Sequence, residues 1–320
     1  MFAALLKRGS VAALALAGMT SVAFAQMELK LMAPAAPGGG WDGTARSMQQ
    51  ALTASGLAKS VQVANVTGAG GTIGLAQLIG AKGDGNQLMV NGFVMVGAIL
   101  LNKSPVNLTQ VTPIARLTAE AEVIVVPADS PIKSAKELAE RLKADPGKVT
   151  WAGGSAGGTD HILAALFAQA VGADAKRINY IPFSGGGEAL AAMLGGRVTA
   201  GISGYGEFEG QIKAGKLRAI AVSSDKRLEN APDVPTMKEQ GIDLELINWR
   251  SVVAPPGLSP EQTKTLVDLV EKMSKSKEWQ EILKARGWDD AFLGGDAFGT
   301  FLKAEIERVS KTMTEVGMVK

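Results

Sequence analysis

Ser155 is the first residue to weigh. Gly153-Gly154-Ser155-Ala156-Gly157 has the glycine spacing of a nucleophile elbow, the tight strand-to-helix turn that presents a serine hydroxyl to a substrate carbonyl. A serine of this kind needs a base, and His161, six positions on, is the only histidine in the chain. In elbow enzymes the histidine comes far downstream, after the acid. About a turn and a half into the same helix, His161 cannot receive the Ser155 proton, so a serine hydrolase remains only an alternative. Gly38-Gly39-Gly40-Trp41-Asp42-Gly43 fits a second motif, the G-x-G-x-x-G of dinucleotide sites, but the acidic residue expected about twenty positions later is replaced by Asn65. No turn carries the Gly-Lys-Ser/Thr of a P-loop. With no cysteine, one histidine and no EF-hand spacing, neither a metal nor a cofactor is expected. The chemistry left to these turns is binding.

What they can bind is an anion. The first turn of a helix leaves backbone N–H groups without intrahelical partners, and the macrodipole adds roughly half a positive charge there. Glycine lets a ligand approach that backbone closely. The dipole alone contributes roughly 0.3 to 1 kcal/mol, whereas micromolar affinity needs about −8 kcal/mol. Several charge-assisted hydrogen bonds, worth roughly 1.5 to 3 kcal/mol each, must therefore converge in one cleft.

The elements that position such turns repeat one plan five times: an apolar strand, a glycine-rich turn, a helix. The first is Leu29 to Ala33, Pro37 to Gly40, then a helix through Ala45, Met48 and Leu52. The second runs from Val61 through Gly68-Ala69-Gly70-Gly71 into a helix over Ile73 to Ile79. Lys148 to Ala152 leads into Gly153 to Gly158, Ile178 to Ile181 into Ser184 to Gly187, and Val198 to Ile202 into Gly204 and Gly206. The alternation predicts parallel βαβ units with the turns at the carboxyl ends of the strands, where ligands bind in open α/β sheets. Val123 to Pro127 and Ser251 to Pro256 are apolar strands ending in proline and are the expected crossings between two lobes. From Ser259 onward the pattern is helical and charged.

Composition limits the partners. Lys7 and Arg8, the apolar run Val11 to Met19 and Ala23-Phe24-Ala25 have the layout of a secretory signal peptide, and no later run is apolar enough to span a bilayer. Cleavage after Ala25 leaves about 295 residues, enough for two domains whose cores need no disulfide. The chain has 33 basic and 31 acidic residues; with Lys7 and Arg8 removed the charges balance. With no global positive field and few aromatics, nucleic acid is not an expected partner.

In order along the chain, several segments resemble one family. They include Ala36-Pro37-Gly38-Gly39-Gly40-Trp41-Asp42 with Ala45-Arg46, Gly68 to Gly74, Gly154 to Gly158, Gly185-Gly186-Gly187-Glu188-Ala189-Leu190, Leu194-Gly195-Gly196, Lys213 to Ala219, Asp233-Val234-Pro235-Thr236 and Ala254-Pro255-Pro256-Gly257. The chain is similar to the substrate-binding components of tripartite tricarboxylate transporters, the TctC or Bug family. The resemblance implies an α/β, type II periplasmic-binding-protein fold, two lobes with a ligand cleft between them, and a non-enzymatic role. It implies a monomer that delivers a small organic carboxylate to membrane permease subunits. It further implies that Ala36 to Asp42 hold one carboxylate from the first lobe and that Ser155, Ala156, Gly157, Gly158 and Thr159 face them from the second. Lobe 1 is expected at 26–124 with 251–320, and lobe 2 at 125–250.

Gly70, His161, Ser184, Gly185, Ser203 and Tyr205 complete the candidate ligand-binding residues, with His161 open between a ligand contact and an ordinary helix position, and Trp41 between ligand and core. Where many members of the family carry an aspartate suited to amine or amide ligands, this chain has Ser203, followed by Tyr205 and Glu207. That departure favours a fully anionic acid: a citrate-like tricarboxylate first, a C4 dicarboxylate next.

Overall fold

The computed structural model describes residues 27–184 and 186–320. The expected signal peptide therefore lies outside the described residues, as does Gly185. The first unit forms as read. Strand β1 (Glu28–Ala33) buries Leu29, Leu31 and Ala33 on one face by its period of two. Helix α1 (Gly40–Ala54) buries Trp41, Ala45, Met48 and Leu52, spaced to lie along one stripe. Strand β2 (Ser60–Asn65) leads to α2 (Thr72–Gly80), and β3 (Gln87–Gly92) to α3 (Phe93–Leu101). β1 lies between β2 and β3, parallel to both.

The centre of the sheet is antiparallel, in contrast to the parallel βαβ units that flank it. Strand β4 (Thr112–Pro127) is 16 residues long, and Val123 to Pro127 is only its final part. After it come α4 (Ala135–Ala144), β5 (Thr150–Gly153), α5 (Thr159–Ala170), β6 (Asn179–Pro182), α6 (Gly186–Leu194), β7 (Ala200–Gly204), α7 (Tyr205–Lys213) and β8 (Leu217–Val222). Strand β9 (Ile247–Ala254) is followed by α8 (Pro260–Ser274), α9 (Lys277–Arg286), β10 (Asp289–Gly294) and α10 (Gly295–Glu315). The strand order is β2-β1-β3-β9-β4-β7-β5-β6, with β8 and β10 also paired to β4. β5 is parallel to β6 and β7, whereas β9 runs antiparallel to β3 and β4, and β4 antiparallel to β7. The βαβ units thus form two parallel flanks joined by antiparallel strands.

β4 makes the first crossing. Thr112 to Ala121 pair with β9, and from Glu122 the strand pairs with β7 and then β8. The chain returns at Ile247, whose partner is Ala121. The pairing of β4 therefore changes at 121/122, and β9 begins at Ile247. One large apolar cluster runs through both flanks, and a smaller one, confined to the second flank, is built on Val123, Val125, Met193 and Phe208.

Three elements escaped the sequence pattern: β3, α3 and β10. α3 is apolar throughout, so no 3.6-residue period marks it, and no glycine-rich turn precedes it. β10 interrupts the charged helical tract as a strand whose residues are none of them fully buried. No helix among the described residues is long and apolar enough to cross a membrane.

Candidate functional site

The turns after β1, β2, β5, β6 and β7 converge on a cavity of about 370 Å³, at the carboxyl ends of the strands as open α/β sheets require. β4 and β9, where they cross between the flanks, supply its floor through Glu122, Asn248 and Arg250. Of the residues singled out from sequence, Gly39, Gly40, Trp41 and Gly70 line it from the first flank. Ser155, Ala156, Gly158, Thr159, Ser184 and Ser203 line it from the second. Neither α1 nor α5 has a side-chain N-cap, so their first-turn amides lack that partner. Gly40 has a steric role: a Cβ there would overlap the Arg250 guanidinium.

The remaining candidates stand behind the wall. Asp42 is buried and ties down the first turn: Gly38 N–H donates to it at 2.9 Å, Arg46 Nε at 3.0 Å and Asn65 Nδ2 at 2.9 Å. Burial works against its charge, but the hydrogen bonds from Arg46, Gly38 and Asn65 outweigh burial and hold it below the ordinary carboxylate range. Asn65 also donates to the Ala35 carbonyl at 3.0 Å, so the residue that spoiled the dinucleotide motif braces this loop. Ala36 and Gly38 belong to the same loop without lining the cavity.

His161 is likewise a brace. Its Nδ1 accepts the Gly157 N–H at 3.1 Å, and its ring stacks on Tyr180 at 4.2 Å and 15°. Burial lowers its pKa to about 4, so the neutral ring is the acceptor. Tyr180 donates to the Gly154 carbonyl at 2.8 Å, and the Gly154 N–H donates to Asp160 at 2.6 Å. Three amides of the turn expected to face an anion, those of Gly154, Gly157 and Gly158, are therefore satisfied within the chain, the last by the Ser155 carbonyl at 2.9 Å. Gly157, with φ +77°, packs against Gly97 of α3. Tyr205 belongs to the second flank's core, 6% exposed.

The sequence reading missed the ionisable groups of the floor. Arg250 is ion-paired with Glu120, lies 3.7 Å from Glu207, and stacks over Trp288 at 5.3 Å. Trp288 Nε1 donates to the other Glu120 oxygen at 2.9 Å. Glu122 is fully buried, and no described residue hydrogen-bonds to either of its carboxylate oxygens. Burial, then the charges of Asp160, Glu120 and Glu207, push its pKa well above the usual value. Burial likewise raises Asp160 to about 6 and Glu207 to about 7. Glu120 and Glu122 did carry a signal: two glutamates at i, i+2 in a long apolar strand point to one face, and charges in such strands are rarely buried without a purpose.

Two strand crossings between α/β flanks, with a cavity at the strand ends between them, define a periplasmic-binding-protein architecture. Residues 44–318 match the family described as "Tripartite tricarboxylate transporter family receptor", and the chain belongs to it. Protein BugT of Bordetella pertussis (strain Tohama I) is 31% identical over 294 residues, 90% of this chain and 89% of that one. The structure of the periplasmic binding protein BugD matches with a TM-score of 0.82 at 26% identity, over 92% of this chain and 99% of that one. MatC from Rhodopseudomonas palustris with bound malate matches in fold, with a TM-score of 0.80 at 23% identity, over 89% and 98%. The family is one of transport receptors, not enzymes.

Proposed function

We propose that this protein captures a small organic carboxylate in the periplasm, after export by its N-terminal signal, and hands it to the membrane subunits of a tripartite transporter. The observation that carries this reading is the pair of uncapped helix starts, α1 and α5, on opposite flanks of one cavity. A solute bridging them binds the closed arrangement better than an open one and shifts that equilibrium by its differential affinity. The membrane partner then reads loaded from empty by shape.

A citrate-like acid is the reading that Ser203 favours. The charge of the wall bears on it: Arg250 is the one cationic side chain among the described wall residues, and Glu120 and Glu207 already engage it. A third ligand carboxylate would have to lie among Glu122, Asp160 and Glu207, so fewer negative charges fit better, and malate in MatC is a precedent of that size. Calorimetry of refolded, ligand-stripped protein against citrate, tricarballylate, malate, succinate and aspartate tests both levels. An acid with two carboxylates is expected to bind tighter than citrate. Tightest binding by citrate would reverse that ordering, and failure of every acid to bind would remove the carboxylate reading. Appearance of the mature chain in a periplasmic fraction, with its N-terminus at Gln26, tests the localisation.

A further inference from the structure

We infer that the start of α7 is a latch between the flanks: its first turn, fixed to the second flank, seats in a socket of the first flank and holds the empty protein closed. This rests on the proposed capture by closure and names the contact that sets the closure equilibrium.

Each half of the contact belongs to its own flank. Tyr205 and Phe208 anchor α7 in the apolar cluster confined to the second flank, so Gly206 and Glu207 between them move with that flank. The socket belongs to the first. Trp288 lies between α9, which packs on α1, and β10, which pairs with Ala115 to Ala119 of β4. Arg250 stands on β9 where that strand pairs with β3. The socket is built without α7: Trp288 Nε1 donates to Glu120 at 2.9 Å, Glu120 is ion-paired with Arg250, and the guanidinium groups of Arg250 and Arg286 lie over the Trp288 ring at 5.3 and 5.2 Å.

The fit is close enough to require glycine. A Cβ on Gly206 would come to 3.0 Å from the Arg286 carbonyl oxygen, and one on Gly204, just before the helix, would overlap the Glu120 carboxylate. From the first flank, a Cβ on Gly40 would overlap the Arg250 guanidinium and come to 3.0 Å from Glu207 Oε1. These separations are shorter than packed carbon atoms adopt. One turn further along α7, a Cβ on Gly210 would meet nothing within 4 Å, so the constraint is confined to the turn that faces the socket. A neighbouring contact has the same form: a Cβ on Gly287 of the first flank would lie 2.8 Å from Nδ2 of Asn230, which stands between Leu228 and Ala231 of the second flank's cluster.

Charge adds to the fit. Arg250 lies 3.7 Å from Glu207 of the other flank, with side-chain exposures of 4% and 21%, so salt screens the pair less than it would a surface pair. Parting the flanks leaves Arg250 with Glu120 but takes from Glu207 the cation it faces. The seat is also reversible, because a chamber of about 530 Å³ borders it between α1, α7 and α9, and the helix start can leave without breaking into a core. When only the closed form binds solute, the apparent Kd is the intrinsic value divided by the closed fraction. The latch therefore tightens binding without touching the solute.

The test uses ligand-stripped mature protein carrying Gln77→Cys on α2 and Ala191→Cys on α6, both at exposed positions of a chain that has no cysteine of its own. Spin labels on the pair report the interflank distance by double electron–electron resonance, and calorimetry with the tightest-binding acid gives Kd. Without solute, more than about half of the wild-type population is expected at the distance of the closed structure. Gly206→Val should lower that fraction about threefold or more and weaken Kd by the same factor, whereas Gly210→Val on the same helix should change neither. An empty wild type with no closed population overturns the latch, as does a Gly206→Val protein that stays as closed as wild type or loses affinity without opening. If Gly206→Val does not fold, Trp288→Phe, which keeps a ring but removes the donor to Glu120, is expected to open the empty protein in its place, and an unchanged distance there overturns the latch too. Because the distances are read without solute, failure of every acid to bind removes the capture reading while the latch still stands or falls on its own measurement.

Discussion

Gly97 is the most direct test of closure. It lies inside α3, where alanine is favoured over glycine by roughly 1 kcal/mol, so Gly97→Ala should not weaken the helix itself. A Cβ at this position, however, would overlap the carbonyl oxygen of Gly157, in the turn that leads into α5 on the opposite flank. Relief to an ordinary van der Waals separation requires the two flanks to part by roughly 1.5 Å. A hydrogen bond does not survive that displacement, and each charge-assisted bond is worth roughly 1.5 to 3 kcal/mol. Losing one from whichever flank releases the solute weakens Kd by about 10- to 100-fold. Calorimetry with the tightest-binding acid measures the loss, and thermal unfolding of the ligand-free protein measures the fold. The expected result is a weakened Kd with an unchanged or raised Tm. A Kd within about threefold of wild type would show that the flanks do not close through this contact, and a large fall in Tm would make it a contact of the fold instead.

Asp42→Ala removes the acceptor shared by Gly38, Arg46 and Asn65; it should cost about 1 to 3 kcal/mol of stability by urea unfolding. His161→Phe retains an aromatic ring against Tyr180 but leaves the Gly157 N–H without its acceptor, and a loss of about 1 to 2 kcal/mol is expected. Ser155→Ala and wild type should show equal, zero turnover of an activated ester; turnover that disappears in the variant would restore the hydrolase. For pH, the buried acids bind protons more tightly folded than unfolded, so they lower stability as pH rises toward the folded values, about 6 for Asp160 and about 7 for Glu207. His161, lowered to about 4, acts oppositely and is spent above its unfolded value of about 6.5. Ligand-free protein should therefore lose on the order of 1 to 2 kcal/mol between pH 6.5 and 8. A Tm that holds or rises across that interval would contradict the buried-acid account.

Much of the frame was legible because it is local. The alternation in Leu29, Leu31 and Ala33 and the stripe of Trp41, Ala45, Met48 and Leu52 belong to single elements, and each glycine turn lies between its own strand and helix. Illegible parts lacked a period: α3 is apolar on every side, and β4 up to Glu122 hides its strand character behind Arg116, Glu120 and Glu122. His161 shows the limit within one motif. Its place in the helix was readable from its spacing to Ser155, but the Tyr180 ring that fixes its role comes from another strand.

From the residue order alone came the repeating strand–turn–helix units, which short-range periodicity marks, and the resemblance to the family, which a set of short motifs in order carries. Only the tertiary structure decided the electrostatics of the cleft. Glu122, Asp160, Glu207 and Arg250 come from four separate elements, and their charge states depend on how far folding removes them from water. A carboxylate's solvation, unlike its position in a strand, is set by neighbours distant in the chain.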